Sequence, residues 1–584
     1  MRAVLLVAFG ALWVAAIAAR LYELQVARYD HYREKARRQQ QTVVELDPPR
    51  GTIYDARGRE LAVSMQVDSA WADPSDLEDP AATAAALAPI LGLERGPLAR
   101  RLARRGNFVW VARKLDPPVA DAIRALRLPG IHFLPESKRY YPMRELAGQV
   151  LGYVGTDNLG LAGLELLYNR QVAGKPGRRT LLRDARRGTV VAPGLAFADP
   201  EPGRDLYLTL DSTIQHIAER ELEKAVLDHR AKSGSLVLLD PASGAVLAMA
   251  TYPPFDPNHY GDYPAVQARN RAIMDAYEPG STFKVVTAAA ALGAGLVRPD
   301  DVFDCEMGGI TLWGIRIRDH KPYGRLTFSQ VIAKSSNVGM IKTALLLGDE
   351  RLYRTIRALG FGRPTGIDLP GENGGILAPL AGWRPLTKAY ISFGQGISVT
   401  PMQLTSALAA VADGGALLIP YVVSAVGSGE TIERLHPGPA VAGRPISAET
   451  ARVLGNLLEG VVTGGTGTSA AVPGYRVAGK TGTAQKPGVG GYSHSSYVPS
   501  FIGYAPADRP AIVGVVAIDS PQGFAYYGAQ VAAPAFGAVT RQVLLYLGVR
   551  PQRSPLARWP GQPAGQVLTA SFRPSPPPAA DPEL

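Results

Sequence analysis

The most apolar stretch of the chain lies at its N-terminus. Residues 3–19 (AVLLVAFGALWVAAIAA) carry no charge and lie between Arg2 and Arg20. Leu21, Tyr22 and Leu24 add apolar side chains and complete the span of about 20 residues that a helix needs to cross a bilayer. The pattern predicts either a retained membrane anchor or a cleaved signal peptide, because Ala-Ile-Ala at 16–18 resembles a cleavage site. In both cases the rest of the chain lies outside the cytoplasm.

Helical and strand-like patterns alternate after this stretch. A polar, helix-forming segment is followed by Gln41–Leu46, which has the alternation of a strand. Residues 50–62 combine strand alternation with Asp and Gly turn signals, and the Ala- and Leu-rich runs of residues 80–127 predict helices. A Pro- and Gly-rich stretch ends near Gly203, and Arg204–Leu210 predicts the next strand.

The C-terminal part mixes strands and helices, as in an α/β fold. Ser235–Ala250 (SLVLLDPASGAVLAMA) predicts a β-hairpin, because two apolar runs flank a Pro-Ala-Ser-Gly turn. Glu278-Pro279-Gly280 interrupts the chain before a helical run from Ser281 to Leu292. Arg476–Thr483 and Ala511–Ile518 predict two further strands.

These shifts in pattern predict four parts. With 584 residues the chain is too long for one ordinary domain. We expect an apolar N-terminal segment over residues 1–24 and a first domain of strands and helices over residues 25–203. An α/β (α+β) domain follows over residues 204–549, and a Pro-rich tail over residues 550–584 is expected to be disordered.

The composition is that of a folded protein with a basic balance. Hydrophobic residues make up 46% of the chain and charged residues 19%, and the formal net charge is +11. A positive charge of this size suits anionic lipid or an anionic polymer. The densest basic stretch, residues 32–38, also contains Glu34 and is best explained as a solvated helix face. With no nucleic-acid-binding motif in the sequence, we expect no nucleic-acid partner.

The chain has one cysteine, Cys305, which excludes an internal disulfide and a thiolate zinc site. The eight histidines are scattered, and none lies in a His-Glu-x-x-His pattern. We therefore expect no metal and no cofactor. A lone cysteine of this kind is most simply a small residue of the core.

Three short motifs occur once each: Ser-Thr-Phe-Lys at 281–284, Ser-Ser-Asn at 335–337 and Lys-Thr-Gly-Thr at 480–483. Each motif alone is a weak signal. The first is equally typical of a capped helix start with a surface lysine, and the second of a turn. All three in this order indicate an active-site serine enzyme.

The first motif supplies a nucleophile and its base. Ser281 lies at a predicted helix start, where free N–H groups and the positive end of the helix dipole surround its oxygen. Lys284 lies three residues further on, on the same helix face, and accepts the serine proton only when it is neutral. Burial and a second cation both lower a lysine pKa, and Lys480 is the candidate for that cation.

The other two motifs supply groups that bind and protonate a substrate. Ser335 is suited to relay a proton to a leaving amine. The strand that carries Lys480 can pair with an extended peptide, and backbone N–H groups of Ser281 and Thr483 are suited to form an oxyanion hole. Lys480, Thr481 and Thr483 offer donors to a carboxylate, and Asn337 can bind a peptide amide. The predicted substrate-binding residues are Asn337, Thr481, Gly482 and Thr483.

Residues 474–481 also match the phosphate-binding pattern G-x-x-x-x-G-K-T. That loop must pass from a strand through a glycine turn into a helix. Here Lys486-Pro487-Gly488 follows closely, which starts no helix, and the segment lies outside the cytoplasm, where ATP is scarce. We interpret the match as accidental.

The motifs resemble those of the class B penicillin-binding proteins, the peptidoglycan D,D-transpeptidases. The resemblance extends from the N-terminal segment to about Val549. It includes RGTIYDARGRELA at 50–62, RYYP at 139–142, GLAGLE at 160–165, FGQG at 393–396 and YYG at 526–528. It implies a non-catalytic pedestal below a penicillin-binding transpeptidase domain, a β-sheet flanked by helices as in serine β-lactamases. It also favours a retained anchor, because the family is bitopic.

Within this family, Trp-Ala-Asp-Pro at 71–74 and YRVAGKTGTAQK at 475–486 are similar to the FtsI cell-division type. The resemblance implies septal cross-linking of stem peptides through a Ser281 acyl-enzyme, and acylation of Ser281 by β-lactams. The implied catalytic residues are Ser281, Lys284, Ser335 and Lys480. The implied partners are peptidoglycan strands, an FtsW-type membrane glycosyltransferase, other division proteins and the inner membrane, with the catalytic domain on the periplasmic side.

Other functions stay open at this point. An elongation-type paralogue would carry the same motifs and serve the sidewall. A carboxypeptidase or β-lactamase would pass the acyl group to water. A non-catalytic division scaffold or β-lactam sensor would keep the fold without turnover, although the complete set of motifs favours an enzyme.

Overall fold

The computed structural model describes residues 1–106, 108–183, 189–190, 197–429, 431–488 and 491–551. Residues 552–584, which hold most of the predicted tail, lie outside the described residues. Helix α1 (Arg2–Tyr22) continues through a π-helical turn (Glu23–Ala27), and α2 (Tyr29–Gln40) follows. Within the described part, the 26-residue helix Arg2–Ala27 is the one long and apolar enough to cross a membrane. None of its apolar window is buried against the rest of the protein, as a lipid-facing helix requires.

Short strands and helices form the next part of the chain. They are β1 (Gln41–Leu46), β2 (Ile53–Tyr54), β3 (Glu60–Ala72), α3 (Pro80–Leu91), α4 (Arg95–Leu102), β4 (Val109–Ala112), α5 (Pro117–Ala125), β5 (Ile131–Tyr140), α6 (Gly148–Leu151), α7 (Gly163–Leu167), α8 (Asn169–Val172), β6 (Gly177–Arg183), β7 (Thr189–Val190) and β8 (Phe197–Ala198). The strand predicted at Gln41–Leu46 is confirmed.

The helical prediction for residues 80–127 is correct for three helices and wrong for one segment. Helix α3 starts where Asp79 accepts hydrogen bonds from the N–H groups of Ala81 and Ala82, as expected for an N-cap. Between α4 and α5, however, β4 forms an antiparallel pair with β3. Its Val-Trp-Val sequence contains β-branched and aromatic side chains, which favour a strand once a partner strand lies alongside.

The larger part of the chain begins at β9. Its elements are β9 (Asp205–Leu208), α9 (Ser212–Asp228), β10 (Ser233–Leu239), β11 (Val246–Tyr252), α10 (Arg271–Met274), α11 (Lys284–Gly293), β12 (Val302–Asp304), β13 (Gly309–Leu312), β14 (Ile315–Arg318), β15 (Arg325–Thr327), α12 (Phe328–Lys334), α13 (Asn337–Leu347), α14 (Asp349–Ala358), α15 (Thr387–Ile391), α16 (Pro401–Ala412), β16 (Leu417–Leu418), β17 (Val423–Ser428), β18 (Thr431–Arg434), β19 (Val441–Gly443), α17 (Ala448–Gly464), β20 (Ala478–Gly488), β21 (Gly491–Ala505), β22 (Ile512–Asp519) and α18 (Gly528–Tyr546).

Short 3-10 helices connect several of these elements. They are Pro257–Asp262, Ala265–Ala268, Gly280–Phe283, Glu306–Gly308, Leu380–Gly382 and Thr468–Ala470. The 3-10 helix Gly280–Phe283 corrects the prediction of a helix from Ser281 to Leu292, because the α-helix begins only at Lys284. Gly280 has a φ of 56°, a left-handed conformation that glycine adopts readily, and this places a tight turn before the helix.

A five-stranded antiparallel sheet in the order β11-β10-β22-β21-β20 forms the centre of this part. The predicted Ser235–Ala250 hairpin is confirmed as β10 and β11. Strand β10 is buried at every position, because helices cover both faces of the sheet. Helices α9 and α18 pack on one face, and α11, α16 and α17 on the other. Strand β20 is at one edge, so one side of its backbone is available to a further strand.

A second sheet joins segments from the two parts of the chain. Its strands follow the order β18-β17-β9-β2-β3-β4, and β5 also pairs with β3. Close by, Glu165 forms buried ion pairs of 2.6 Å with both Arg50 and Arg139. The three side chains are at most 2% exposed, and they come from three of the upstream motifs. These motifs therefore meet in one buried charge cluster.

Candidate active site

Ser281 lies in the 3-10 turn ahead of α11 and is partly exposed. The turn is held from outside by residue 394, since the Gly280 N–H donates to the carbonyl oxygen of Gly394 at 3.0 Å. A Cβ atom on Gly394 would lie 2.1 Å from the Gly280 carbonyl oxygen, so the two segments contact each other closely through their backbones. The turn that carries Ser281 is thus positioned by the Phe-Gly-Gln-Gly segment as well as by its own helix.

Lys284 begins α11, and its side chain is completely buried. Its Nζ donates to the Ser335 carbonyl oxygen at 2.6 Å, to Ser335 Oγ at 3.2 Å and to Asn337 Oδ1 at 2.7 Å. Lys480 is also completely buried, and its Nζ donates to Ser335 Oγ at 2.9 Å and to the Thr481 carbonyl oxygen at 3.1 Å. One serine hydroxyl therefore lies between two lysine amines.

Burial lowers the pKa of Lys284 to about 7, while the carboxylate of Asp319 acts in the opposite direction. Burial also lowers the pKa of Lys480 well below its usual range, and the neighbouring Lys284 adds to this effect. The sequence predicted that Lys480 would lower the pKa of Lys284. In the structure, loss of hydration is the main cause of the lowered pKa at both lysines.

The Ser-Ser-Asn motif forms the junction between α12 and α13. Ser335 ends α12 with a φ of 62°, a conformation uncommon for a residue other than glycine. Ser336 caps α13 by accepting a hydrogen bond from the Gly339 N–H at 3.0 Å. The turn thereby directs the side chains of Ser335 and Asn337 towards Lys284.

Asp319 was not found by the sequence analysis, although it holds this junction. Its carboxylate accepts a hydrogen bond from Ser336 Oγ at 2.7 Å, from the Val338 N–H at 3.0 Å and from the Asn337 N–H. Asp319 directly follows β14 and lies sixteen residues before Ser335, the first residue of the motif. An isolated Asp at a strand end carries no local signal of this role, because the contact exists only in the folded chain.

The Lys-Thr-Gly-Thr motif lies on the edge strand β20, which packs against the turn that carries Ser281. A Cβ atom on Gly482 would lie 2.8 Å from Thr282 Cγ2 and 3.0 Å from the Pro279 carbonyl oxygen, so glycine permits this contact. Thr483 Oγ1 accepts a hydrogen bond from the Gly528 N–H at 3.0 Å. The strand continues to Gly488 and then pairs with β21, which excludes the strand-to-helix passage of a phosphate-binding loop.

The predicted site residues lie around one cleft of about 690 Å³. Its lining includes Ser281, Ser335, Asn337, Thr481, Gly482 and Thr483. Lys284 and Lys480 lie behind this lining, and the amine of each donates a hydrogen bond to Ser335 Oγ. An aromatic wall, also missed as a set, completes the cleft. Its rings are His320, Tyr497, Tyr526 and Tyr527, with neighbouring centroids 4.3–4.9 Å apart.

Cys305 is fully buried, as predicted for a core residue. It lies beneath the junction, with Sγ 3.4 Å from Ser336 Oγ. Burial raises the pKa of its thiol, which keeps the sulfur protonated and unreactive.

Two family models match this chain and together cover most of it. The penicillin binding protein transpeptidase domain matches residues 234–541, and the penicillin-binding protein dimerisation domain matches residues 45–208. The chain is 37% identical to stage V sporulation protein D of Bacillus subtilis over 88% of its length and 80% of that protein. It is 36% identical to peptidoglycan D,D-transpeptidase FtsI of Escherichia coli, covering 92% of this chain and 90% of FtsI.

Comparison with solved structures points to the same group of proteins. A peptidoglycan synthetase from Bifidobacterium adolescentis superposes with a TM-score of 0.70 at 28% identity, over 88% of this chain and 98% of that one. Penicillin binding protein 3 of Mycobacterium tuberculosis, in complex with aztreonam, superposes with a TM-score of 0.67 at 29% identity. The match covers 87% of this chain and 98% of that one. The fold is thus that of the serine penicillin-binding enzymes. The chain belongs to the class B penicillin-binding proteins, the peptidoglycan D,D-transpeptidases.

Proposed function

We propose that this protein cross-links peptidoglycan stem peptides at the division septum through an acyl-enzyme on Ser281. The proposed reaction at Ser281 rests on one observation, the buried amine of Lys284. Its pKa of about 7 leaves a large fraction of the amine neutral at neutral pH. A neutral lysine beside a serine nucleophile is the base that such a site requires.

In the first half-reaction, Ser281 Oγ attacks the carbonyl carbon of the penultimate D-Ala of a donor stem peptide. Lys284 takes the hydroxyl proton, and the new ester bond replaces the amide bond to the terminal D-Ala. The leaving amine receives its proton through Ser335, whose hydroxyl contacts both Lys284 and Lys480 at 3.2 and 2.9 Å. Lys284, Ser335 and Lys480 are already in hydrogen-bond contact along the route from the base to the leaving amine.

The donor peptide binds along the edge of β20 in this proposal. An edge strand offers free backbone groups to an extended peptide, and β20 lines the cleft beside Ser281. Asn337 binds the peptide amide, and Thr481 to Thr483 bind the terminal carboxylate. The N–H groups of Ser281 and Thr483 stabilise the oxyanion.

The assignment of Ser281 as the nucleophile is tested by acylation with a fluorescent penicillin. We expect the unaltered chain to form a covalent adduct and Ser281→Ala to form none. Ser243→Ala, in the turn between β10 and β11, is the matched control and should react normally. Covalent labelling of Ser281→Ala would refute the assignment. The aztreonam and ampicillin complexes of the Mycobacterium tuberculosis relative support acylation by β-lactams.

A transpeptidase and a hydrolase differ in the acceptor of the acyl group. With lipid-linked peptidoglycan as substrate, we expect D-Ala release together with cross-linked products. Release of D-Ala without cross-links would instead indicate a carboxypeptidase.

The septal role rests on the relatives that carry the FtsI name and on the motifs of the cell-division type. A fluorescently tagged copy should concentrate at midcell. Distribution along the sidewall would favour the elongation type, and enrichment only in sporulating cells would favour the role named for the Bacillus subtilis relative.

We further assign residues 1–24 to a retained membrane anchor, 25–203 to the pedestal, 204–549 to the transpeptidase domain and 550–584 to the tail. The apolar helix, whose apolar window is not buried against the rest of the chain, suits a lipid environment and an FtsW-type membrane glycosyltransferase as partner. The folded part lies on the periplasmic side, where peptidoglycan is built. Protease added to intact spheroplasts should digest it, and its protection would contradict this orientation.

A further inference from the structure

A mostly apolar groove of about 580 Å³ lies beyond the Lys-Thr-Gly-Thr motif, at the far end of β20. Its lining includes Trp313 at the tip of the β13–β14 hairpin, Tyr390 on α15 and Tyr492 on β21. The Trp313 side chain is 56% exposed, so a large aromatic surface is open to solvent here. The Gln395–Gly396 backbone separates the groove from the active-site cleft, and the reaction proposed at Ser281 does not use it.

Hydrogen bonds hold one wall of this groove in place. Glu278 Oε1 accepts a hydrogen bond from the Gly396 N–H at 3.0 Å and from the Tyr492 hydroxyl at 3.1 Å. Both donors belong to residues that line the groove. The wall is therefore formed before anything binds, which lowers the entropic cost of binding.

The Pro-rich segment near the C-terminus has the sequence of a ligand for such a groove. Five of the nine residues 574–582 (PSPPPAADP) are proline. Proline favours the polyproline II conformation, in which the backbone carbonyl groups make no internal hydrogen bonds. Segments of this kind bind in grooves lined by aromatic side chains, because the stiff backbone loses little entropy on binding. Trp313 also offers its indole N–H to a peptide carbonyl group.

Charge favours the same pairing. Asp581 and Glu583 are the two acidic residues of the tail, and both lie at the C-terminal side of the proline run. Arg384 lines the groove, and this residue is exposed. Because a guanidinium group binds a carboxylate by paired hydrogen bonds, the acidic part of the segment fits the side of the groove at Arg384.

The chain is long enough to bring this segment to the groove. A Cβ atom on Gly474 would lie 2.8 Å from Pro551 Cβ, so the tail starts close to the beginning of β20. The groove lies at the other end of β20, where Tyr492 pairs with Pro487. The path from Gly474 to Pro487 spans at most about 47 Å. The chain from Pro551 to Pro574 spans about 70 Å in the polyproline II conformation, so the same molecule can supply the segment.

We propose that residues 574–583 dock in this groove within the same molecule. The prolines pack against the three aromatic rings, and the two carboxylates pair with Arg384. Attachment to the same chain gives the segment a high effective concentration at the groove. The contact gives the Pro-rich tail a binding partner, and it is independent of the reaction proposed at Ser281.

Disulfide trapping tests the contact in full-length protein in detergent micelles. Ala378→Cys places a thiol in the groove, and Ala579→Cys places one in the segment. In the matched control pair, Ala242→Cys in the exposed turn between β10 and β11 replaces Ala378→Cys. The chain's own Cys305 is fully buried and does not compete. Diamide is the oxidant, and non-reducing gels separate monomers with an internal disulfide from disulfide-linked dimers.

We expect the groove pair to form its internal disulfide at least about ten-fold faster than the control pair, because docking concentrates the tail thiol at the groove. Trp313→Ala in the groove pair should slow trapping about five-fold or more. Leu227→Ala, at a side chain that is also 56% exposed but lies outside the groove, should change it by less than about two-fold. Equal rates for the two pairs, or equal effects of the two substitutions, would overturn the proposal. Dimers in place of internal disulfides would also overturn it, since the tail would then bind a second copy.

Charge reversal gives a second test that does not depend on Trp313. Arg384→Glu should slow trapping of the groove pair about five-fold or more, and so should Asp581→Arg together with Glu583→Arg. The three changes combined should restore the rate, because the ion pair forms again with its charges exchanged. A rate that stays low in the combined variant would overturn the proposed pairing.

Discussion

At the scale of single residues, the site depends on two lysines that lie completely inside the protein. Burying an ammonium group is costly, so the folded chain favours the neutral amines and lowers both pKa values. Ser335 Oγ contacts both amines, which allows one proton to be shared among three groups. The proposed base is therefore prepared by burial before any substrate binds.

The pH dependence of acylation follows from the pKa of Lys284. The base acts in its neutral form, whose fraction rises as the pH passes through about 7. We expect the second-order rate constant for acylation by fluorescent penicillin to increase with pH and to be half-maximal near that value. A rate constant that falls or stays constant over this range would show that Lys284 does not act as the base.

A substitution at Asp319 tests the role of Lys284 in the pH dependence of acylation a second time. Its negative charge raises the pKa of Lys284, so Asp319→Asn should move the midpoint of the profile to lower pH. The variant should also lower the plateau, because the hydrogen bonds to Ser336 and Val338 weaken. Asp304→Asn, an exposed carboxyl group outside the cleft, is the control and should leave the midpoint unchanged. A shift of the midpoint to higher pH would contradict the electrostatic role.

At the scale of elements, the site is assembled by close contact between backbones. The turn at Gly280–Phe283, the edge strand β20 and the Phe-Gly-Gln-Gly segment come from distant parts of the sequence. Gly482 and Gly394 permit these contacts, since a side chain at either position would overlap the turn that carries Ser281. The position of Ser281 is thus set jointly by three elements.

Gly394→Ala tests this joint positioning. The new Cβ atom would lie 2.1 Å from the Gly280 carbonyl oxygen, and φ at Gly394 is 83°. The turn must shift, so we expect penicillin acylation to slow by at least about ten-fold. Gly443→Ala is the control, because nothing lies within 4 Å of its added Cβ atom. Acylation of Gly394→Ala at the rate of the control would show that the contact does not position the nucleophile.

At the scale of the whole molecule, the N-terminal and C-terminal parts share one sheet, and the N-terminal part contains a buried charge cluster. Strand β9 pairs with β2 from the first part and with β17 from the second. Glu165 lies between Arg50 and Arg139, with all three side chains removed from water. Such a cluster is stable only when each charge keeps its partner.

Glu165→Ala leaves two buried guanidinium groups without their carboxylate. We expect a loss of about 3–5 kcal/mol in the free energy of unfolding, measured by urea denaturation with tryptophan fluorescence. Asp157→Ala is the matched control. Its carboxylate also pairs with an arginine but is 74% exposed, so the loss should stay below about 1 kcal/mol. Equal effects of the two substitutions would mean that the buried cluster does not stabilise the N-terminal part.

Sequence patterns predicted most of the elements around the site and missed those that depend on a partner. The hairpin at Ser235–Ala250 was correct because its apolar runs and turn are local. Strand β4 was missed because its four residues form a strand only beside β3. The start of α11 was misplaced by three residues, since the 3-10 turn at Ser281 is held by Gly394 from outside.

By itself, the sequence determined the apolar helix, the three motifs and the family that they indicate, because these depend on residue type and spacing along the chain. The tertiary structure alone decided that Asp319 supports the Ser-Ser-Asn junction, that burial is the main cause of the low pKa of Lys284, and that Trp313 borders a groove beside the cleft. Loss of hydration and backbone contact depend on what the rest of the chain places around a residue. No local pattern records them.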